Sequence, residues 1–190
     1  MTLLVLGVVL FALVHWLPVV GRPVREKMVA AMGLGPYKGV FTLLIVGSIV
    51  LMVFGWRAVI PEAVYDPPVW GAHLALLLMF VVMVLFVASG GKSVVRQWIR
   101  HPMLTAMVLW AVTHLLANGE DRSLVLFGGI GLWALLTIPL TNRRDGPRER
   151  PERGPLAGEI KLLVISAVVY AVVLFAHPFL TGVSPLSWLD

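Results

Sequence analysis

Five histidines and no cysteine set the chemistry open to this chain of 190 residues. Imidazole nitrogens ligate transition metals and haem iron. Without a thiol there is no disulfide, no thiolate nucleophile, no iron–sulfur ligation and no covalent haem attachment through a Cys-x-x-Cys-His step. Two of the histidines fall in the stretch from Arg100 to Phe127, RHPMLTAMVLWAVTHLLANGEDRSLVLF. His101 stands in a charged Arg100-His101-Pro102 step, and His114 lies deep in the apolar run that follows. The run stops on Asn118-Gly119 and the acidic pair Glu120-Asp121. An ionisable side chain inside a lipid-embedded helix is costly, so its presence points to function.

The elements that must position these residues follow from composition. Hydrophobic residues make up 59% of the chain and charged residues 13%, against roughly a quarter charged in soluble domains. Mean hydropathy is +0.92. The chain reads as one integral membrane domain over residues 1–190, with the lipid bilayer as its first partner. The net charge of +5 would suggest nucleic acid in a soluble protein. Here the basic residues flank apolar runs, so they serve topology and lipid contact, and no nucleic-acid partner is expected.

A bilayer core about 30 Å thick needs roughly 20 apolar residues of helix. Six segments qualify: Thr2–Val20, Gly39–Ile60, Trp70–Ser89, Pro102–Asn118, Ser123–Leu140 and Ile160–Phe179. Barrel strands would alternate apolar and polar residues, and these segments do not. The expected fold is all-α, a polytopic transmembrane bundle of about six helices. The first segment has no basic residue before it and no Ala-x-Ala step after it, so it is expected to be a retained helix. Residues from Arg25 to Lys38 are expected to form a short interfacial helix ending at Gly33 or Gly35.

Thirteen of the fifteen basic residues lie in or beside three connections. These carry Arg22, Arg25, Lys27 and Lys38; then Lys92, Arg96 and Arg100; then Arg143, Arg144, Arg148, Arg150 and Arg153, with Lys161 just beyond. The other side has Arg57 and Arg122 among Glu62, Asp66, Glu120, Asp121 and Asp190. The positive-inside rule then makes the basic connections cytoplasmic and puts both termini on the non-cytoplasmic side of an inner membrane. The stretch 141–159, rich in Pro, Gly and Arg, reads as a flexible basic cytoplasmic loop.

Topology converts position into depth. His15 and His101 fall towards the inner face, and His73, His114 and His177 towards the outer face. His101 and His114 cannot share a metal: they are about 20 Å apart along a helix and point about 140° apart. Two histidines on different helices at one depth can clamp a haem iron, which makes His73 and His114 the leading pair. Trp110, one turn before His114, offers a wall for a flat apolar ligand such as haem b or an apolar substrate. The plainer readings are interhelical hydrogen bonds or interfacial anchoring for His15 and His177, and helix-start capping with headgroup contact for His101.

Arg100-His101-Pro102, Leu109-Trp110-Ala111, the run His114 to Gly119, and Leu126-Phe127-Gly128 resemble the NnrU family of bacterial membrane proteins. His15 with Pro18 and Arg22/Arg25, the step Pro36-Tyr37-Lys38-Gly39, and His177-Pro178 agree with it. The resemblance covers most of the chain; Glu120 stands where the family usually has Asp. It implies a link to denitrification and kinship with ζ-carotene isomerase, a haem b protein that turns a cis double bond trans. There a histidine corresponding to His114 is implicated as a haem ligand. That enzyme has a Cys where this chain has Ala111, so a thiolate-to-histidine ligand switch is not open to it. The resemblance also brings His15 forward as a ligand, whereas depth pairs His114 with His73; both pairings stay open here.

Three functions are therefore carried forward. The first is haem-dependent redox or isomerase-like chemistry on an apolar substrate. The alternative is a non-enzymatic accessory or assembly role. Less favoured is a membrane methyltransferase, which also carries Arg-His-Pro at a helix start but follows it with Tyr and Gly, where Thr105 and Ala106 stand here, and with a later acidic pair.

Overall fold

The computed structural model describes residues 1–188; Asp190, counted above on the acidic side, lies outside them. Helices α1 (Thr2–Trp16), α3 (Leu34–Ala58), α4 (Gly71–Ala88), α6 (Pro102–Ala117), α7 (Asp121–Asp145) and α8 (Leu156–Thr181) are the six apolar helices, at the places their sequence predicts. Two short helices at the basic end, α2 (Arg22–Met32) and α5 (Val94–Trp98), connect them. No strand occurs among the described residues beyond one isolated bridge, Ala63 with Glu120.

Four helices, α3, α4, α7 and α8, are long and apolar enough to cross a membrane. α1 and α6 fall short of the expected 20 residues, at 15 and 16. α1 stops at Trp16, whose carbonyl accepts from the backbone of Val19 and Val20 in a tight turn around Pro18. α6 is bounded by Pro102, tolerated in a first helical turn because its missing N–H would have no partner there, and by extended Asn118.

The expected interfacial helix is displaced towards the N-terminus. It runs Arg22–Met32, and Gly33, at φ 85°, breaks it so that α3 starts at Leu34 instead of Gly39. That φ is open to glycine at little cost. The basic loop 141–159 is also shorter than expected. Thr141–Asp145 completes α7, with Thr141 buried, and Leu156–Glu159 opens α8.

Close helix contact organises the interior. α1 lies against α3, where Gly7 faces Met52 and the Ser48 carbonyl, and Gly55 faces the Leu4 backbone. Small residues let membrane helices approach this closely and gain van der Waals packing. Leu4, Val8, Met52, Ile130, Trp133 and Ala134 join α1, α3 and α7 in one cluster. Val82, Met83, Leu85 and Ala106 join α4 to α6, with Tyr170 of α8 beside them. α8 is the most peripheral span: 11% of its apolar window is buried, and it leans mainly on α4.

The connections gather at two ends, as the alternation of charge predicts. At the basic end Arg100 donates to the Gly146 carbonyl, His101 pairs with Asn142, and the Glu159 carboxylate accepts from Val94 N–H. At the opposite end residues 59–70 pair with the turn after α6. Val64 and Tyr65 N–H donate to the Gly119 carbonyl, and Asp121 N–H to that of Glu62. Gly119 is required there, because a Cβ would strike the Tyr65 carbonyl.

Candidate functional site

At the end opposite the three basic connections, α3, α4, α6, α7 and α8 line an apolar cavity of about 70 Å³. Trp56, Ala75, Met79, Phe127 and Val173 are among its walls, and the segment from Thr181 to Pro185 closes its end. Two histidines line it, His114 from α6 and His177 from α8.

His114 is held on several sides. Its Nδ1 lies 2.8 Å from the Trp110 carbonyl oxygen one turn earlier. A carbonyl only accepts, so Nδ1 carries the hydrogen and Nε2 is left with a lone pair. Phe127 stacks on the imidazole at 4.4 Å between ring centres, and Trp110 lies tilted at 4.9 Å. Phe127 reaches this place from a π-helical turn, Leu124–Gly128, at the start of α7. Such wide turns recur at functional sites because they re-aim a side chain without ending the helix. Asn118 donates to the His114 carbonyl at 2.9 Å and closes α6.

His177 repeats the arrangement from α8. Its Nδ1 is 2.8 Å from the Val183 carbonyl oxygen, which again assigns the hydrogen to Nδ1 and leaves Nε2 bare. Gly182, at φ 82°, ends α8 and folds the chain back so that Val183 reaches this histidine. The two imidazole centres are 6.4 Å apart and their planes 20° apart.

The sequence-predicted site residues divide clearly. His114, Trp110 and Asn118 sit together at the cavity or its wall. His73 does not join them. It lies in the first turn of α4 and is exposed, on the face shared with Leu77, which is 66% exposed. The cavity face of α4 is Ala75, Leu76 and Met79. His15 is also elsewhere, among Phe11, Phe41 and Trp133 near the basic end, with Nδ1 on the Phe11 carbonyl at 2.9 Å. The structure thus brings His114 together with His177, and with neither His73 nor His15. Sequence reasoning placed His177 at the right depth but assigned it no partner.

Arg100, His101 and Pro102 lie at the other end of α6 and work as a clamp. His101 Nε2 donates to Asn142 Oδ1 at 3.0 Å, and Arg100 donates to the Gly146 carbonyl at 2.7 Å, which ties the start of α6 to the end of α7. His101 makes no side-chain cap on its own helix, contrary to the capping reading. Among the described residues no group of three His, Asp or Glu could hold a metal ion, so any metal here would be held by the histidine pair.

Haem b is the group the sequence resemblance implies. The donor set fits haem iron: two imidazoles with bare Nε2 atoms, each oriented through Nδ1 by a carbonyl, as ligating histidines usually are. The fit extends to the iron ligands and not to a seat for the whole macrocycle. The cavity is well below the roughly 300–1,000 Å³ of small-molecule sites.

A family model described as NnrU protein matches residues 3–185. No curated protein and no solved structure matches the chain.

Proposed function

Because this chain belongs to the NnrU family, we propose that it is a multi-pass inner-membrane protein in which His114 and His177 would supply the iron ligands of haem b, the present cavity holding only that part of the site, for redox or cis–trans isomerase-like chemistry on an apolar substrate, within denitrification. The observation that carries the reading is the histidine pair itself. Two imidazoles from different helices face one apolar cavity at 6.4 Å, each with Nδ1 committed to a carbonyl. Histidines kept only for helix adhesion would hydrogen-bond across the interface; these bond within their own segments.

The residues divide the work. The Trp110 and Val183 carbonyls fix the tautomers and raise the basicity of Nε2. Phe127 and Trp110 hold the His114 ring against rotation. The Tyr170 hydroxyl is spent on the Leu76 carbonyl at 2.6 Å, so it adds no free donor. Among the described residues the walls carry no carboxylate, so an apolar substrate is met by apolar surface. Haem b, when bound, supplies one-electron and Lewis-acid chemistry that these side chains lack.

The test is optical. The protein is purified in mild detergent, and oxidised and dithionite-reduced spectra are recorded before and after added haemin. A Soret band with sharp reduced α and β bands, lost in His114→Ala, is the expected result. A folded protein that stays colourless after haemin would overturn the haem reading.

A second reading, a non-enzymatic accessory role, is favoured by one observation. Of the groups able to move a proton at this cavity, the described residues of the walls offer the two histidines and a tyrosine already bonded. A colourless protein would leave this reading in place.

A further inference from the structure

At the end of the bundle away from the histidines, Arg96, Arg100, His101, Asp145, Arg148 and Glu149 line a polar groove of about 240 Å³. We propose that this groove binds a phosphate group, that of an anionic phospholipid headgroup. Its three arginines come from two segments far apart in sequence and are brought together by the fold. None has a carboxylate within 4.0 Å among the described residues; the ion pairs at this end are Lys92–Glu152 and Arg144–Asp145.

The arginine donors are held by backbone carbonyls instead. Arg96 donates to Gly91, Arg100 to Gly146, and Arg148 to both Trp98 and Arg96. These bonds fix the guanidinium planes and leave most of each five-donor fork open. A guanidinium fork with no carboxylate in contact matches two phosphate oxygens at once, which a lysine ammonium does not. Asp145 is engaged by Arg144, so Glu149 is the one carboxylate lining the groove outside an ion pair.

The neighbourhood favours lipid over a soluble anion. Trp98, whose carbonyl Arg148 holds, is 75% exposed. An exposed tryptophan on a short helix marks the headgroup level of a bilayer. On this proposal the groove lies level with the lipid phosphates. The clamp from Arg100 and His101 to α7 lines the same groove, so the phosphate would brace the contact between α6 and α7.

The test uses the full chain in nanodiscs of phosphatidylcholine with and without phosphatidylglycerol, delipidated stepwise with detergent, with retained lipid read by native mass spectrometry. Wild type is expected to retain phosphatidylglycerol in preference. Arg96→Gln with Arg148→Gln should lower that preference roughly five-fold for each charge removed, and Arg22→Gln in α2 should not. Thermal stability with inorganic phosphate alone separates the sources. If phosphate stabilises wild type and not the double variant while no lipid is preferred, the site binds free phosphate. If neither probe distinguishes wild type from the double variant, or if Arg22→Gln has the same effect, the proposal fails. Should the double variant not fold, Arg96→Gln alone carries the comparison, since its guanidinium bonds within its own connection.

Discussion

His114 and His177 face each other with ring centres 6.4 Å apart and planes 20° apart, each fastened through Nδ1 to a backbone carbonyl. The relationship joins α6 to α8, helices that both also pack on α4. Because the pair acts as a unit, its energetics should be non-additive. His114→Ala and His177→Ala are each expected to lower haemin affinity at least ten-fold, roughly the scale seen for disturbed metal sites. The double variant should be little worse than either. His73→Ala should bind as wild type. Equal losses from His73→Ala and His177→Ala in haemin titrations would sink the pairing.

Glycine positions at the histidine end should resist any side chain. A Cβ at Gly71 would meet the Leu116 carbonyl, and one at Gly119 the Tyr65 carbonyl. Neither neighbour is the tip of a flexible side chain, so Gly71→Ala and Gly119→Ala are expected to cost about 1–3 kcal/mol. Gly47, inside α3, has nothing within 4 Å of the place an added methyl group would take. Gly47→Ala should therefore be neutral or stabilising by up to about 1 kcal/mol. Thermal unfolding in one detergent ranks the three, and a Gly47→Ala as damaging as Gly119→Ala would count against this packing.

Tyr65 ties the loop before α4 to the end of α6. Its single hydroxyl hydrogen is shared between the Leu115 and Asn118 carbonyls, next to His114 in the chain. Burial pushes its pKa above the usual tyrosine value, because desolvation disfavours the phenolate. A pKa raised on folding gives stability that is present below about pH 10 and lost as pH climbs through the raised value. Tyr65→Phe should lose about 1 kcal/mol at neutral pH and flatten the alkaline limb. A stability-versus-pH curve unchanged above about pH 10 would remove Tyr65 as its cause.

At the basic end, His101 and Asn142 should couple. The hydrogen bond at 3.0 Å is half-buried and joins α6 to α7. A double-mutant cycle of His101→Ala and Asn142→Ala is expected to show about 0.5–1.5 kcal/mol of interaction. Additive effects would return His101 to a headgroup or capping role.

Sequence alone determined the class of this protein and the layout of its charges. Six apolar runs of about bilayer length, too continuous for strands, become six helices, because only internal backbone pairing survives in lipid. The alternation of basic and acidic connections sorts the loops to two ends, and counting residues along helices places His73, His114 and His177 at one depth. Family membership was legible from the spacing of Arg100, Trp110, His114 and Asn118.

Tertiary structure decided which histidine meets which. Depth follows from a rise of about 1.5 Å per residue, but partnership depends on how each helix is turned and what stands beside it. His73 points the way of Leu77, out of the bundle, while Ala75, Leu76 and Met79 turn to the cavity. Lipid-facing and cavity-facing residues of α4 are equally apolar, so its pattern carries no sign of which face is inward. α8 is hydrophobic on every side, and only its packing on α4 brings His177 to His114. The role of Arg100-His101-Pro102 was hidden for the same reason: Asn142 and Gly146 become its partners only when α7 returns to the basic end beside α6.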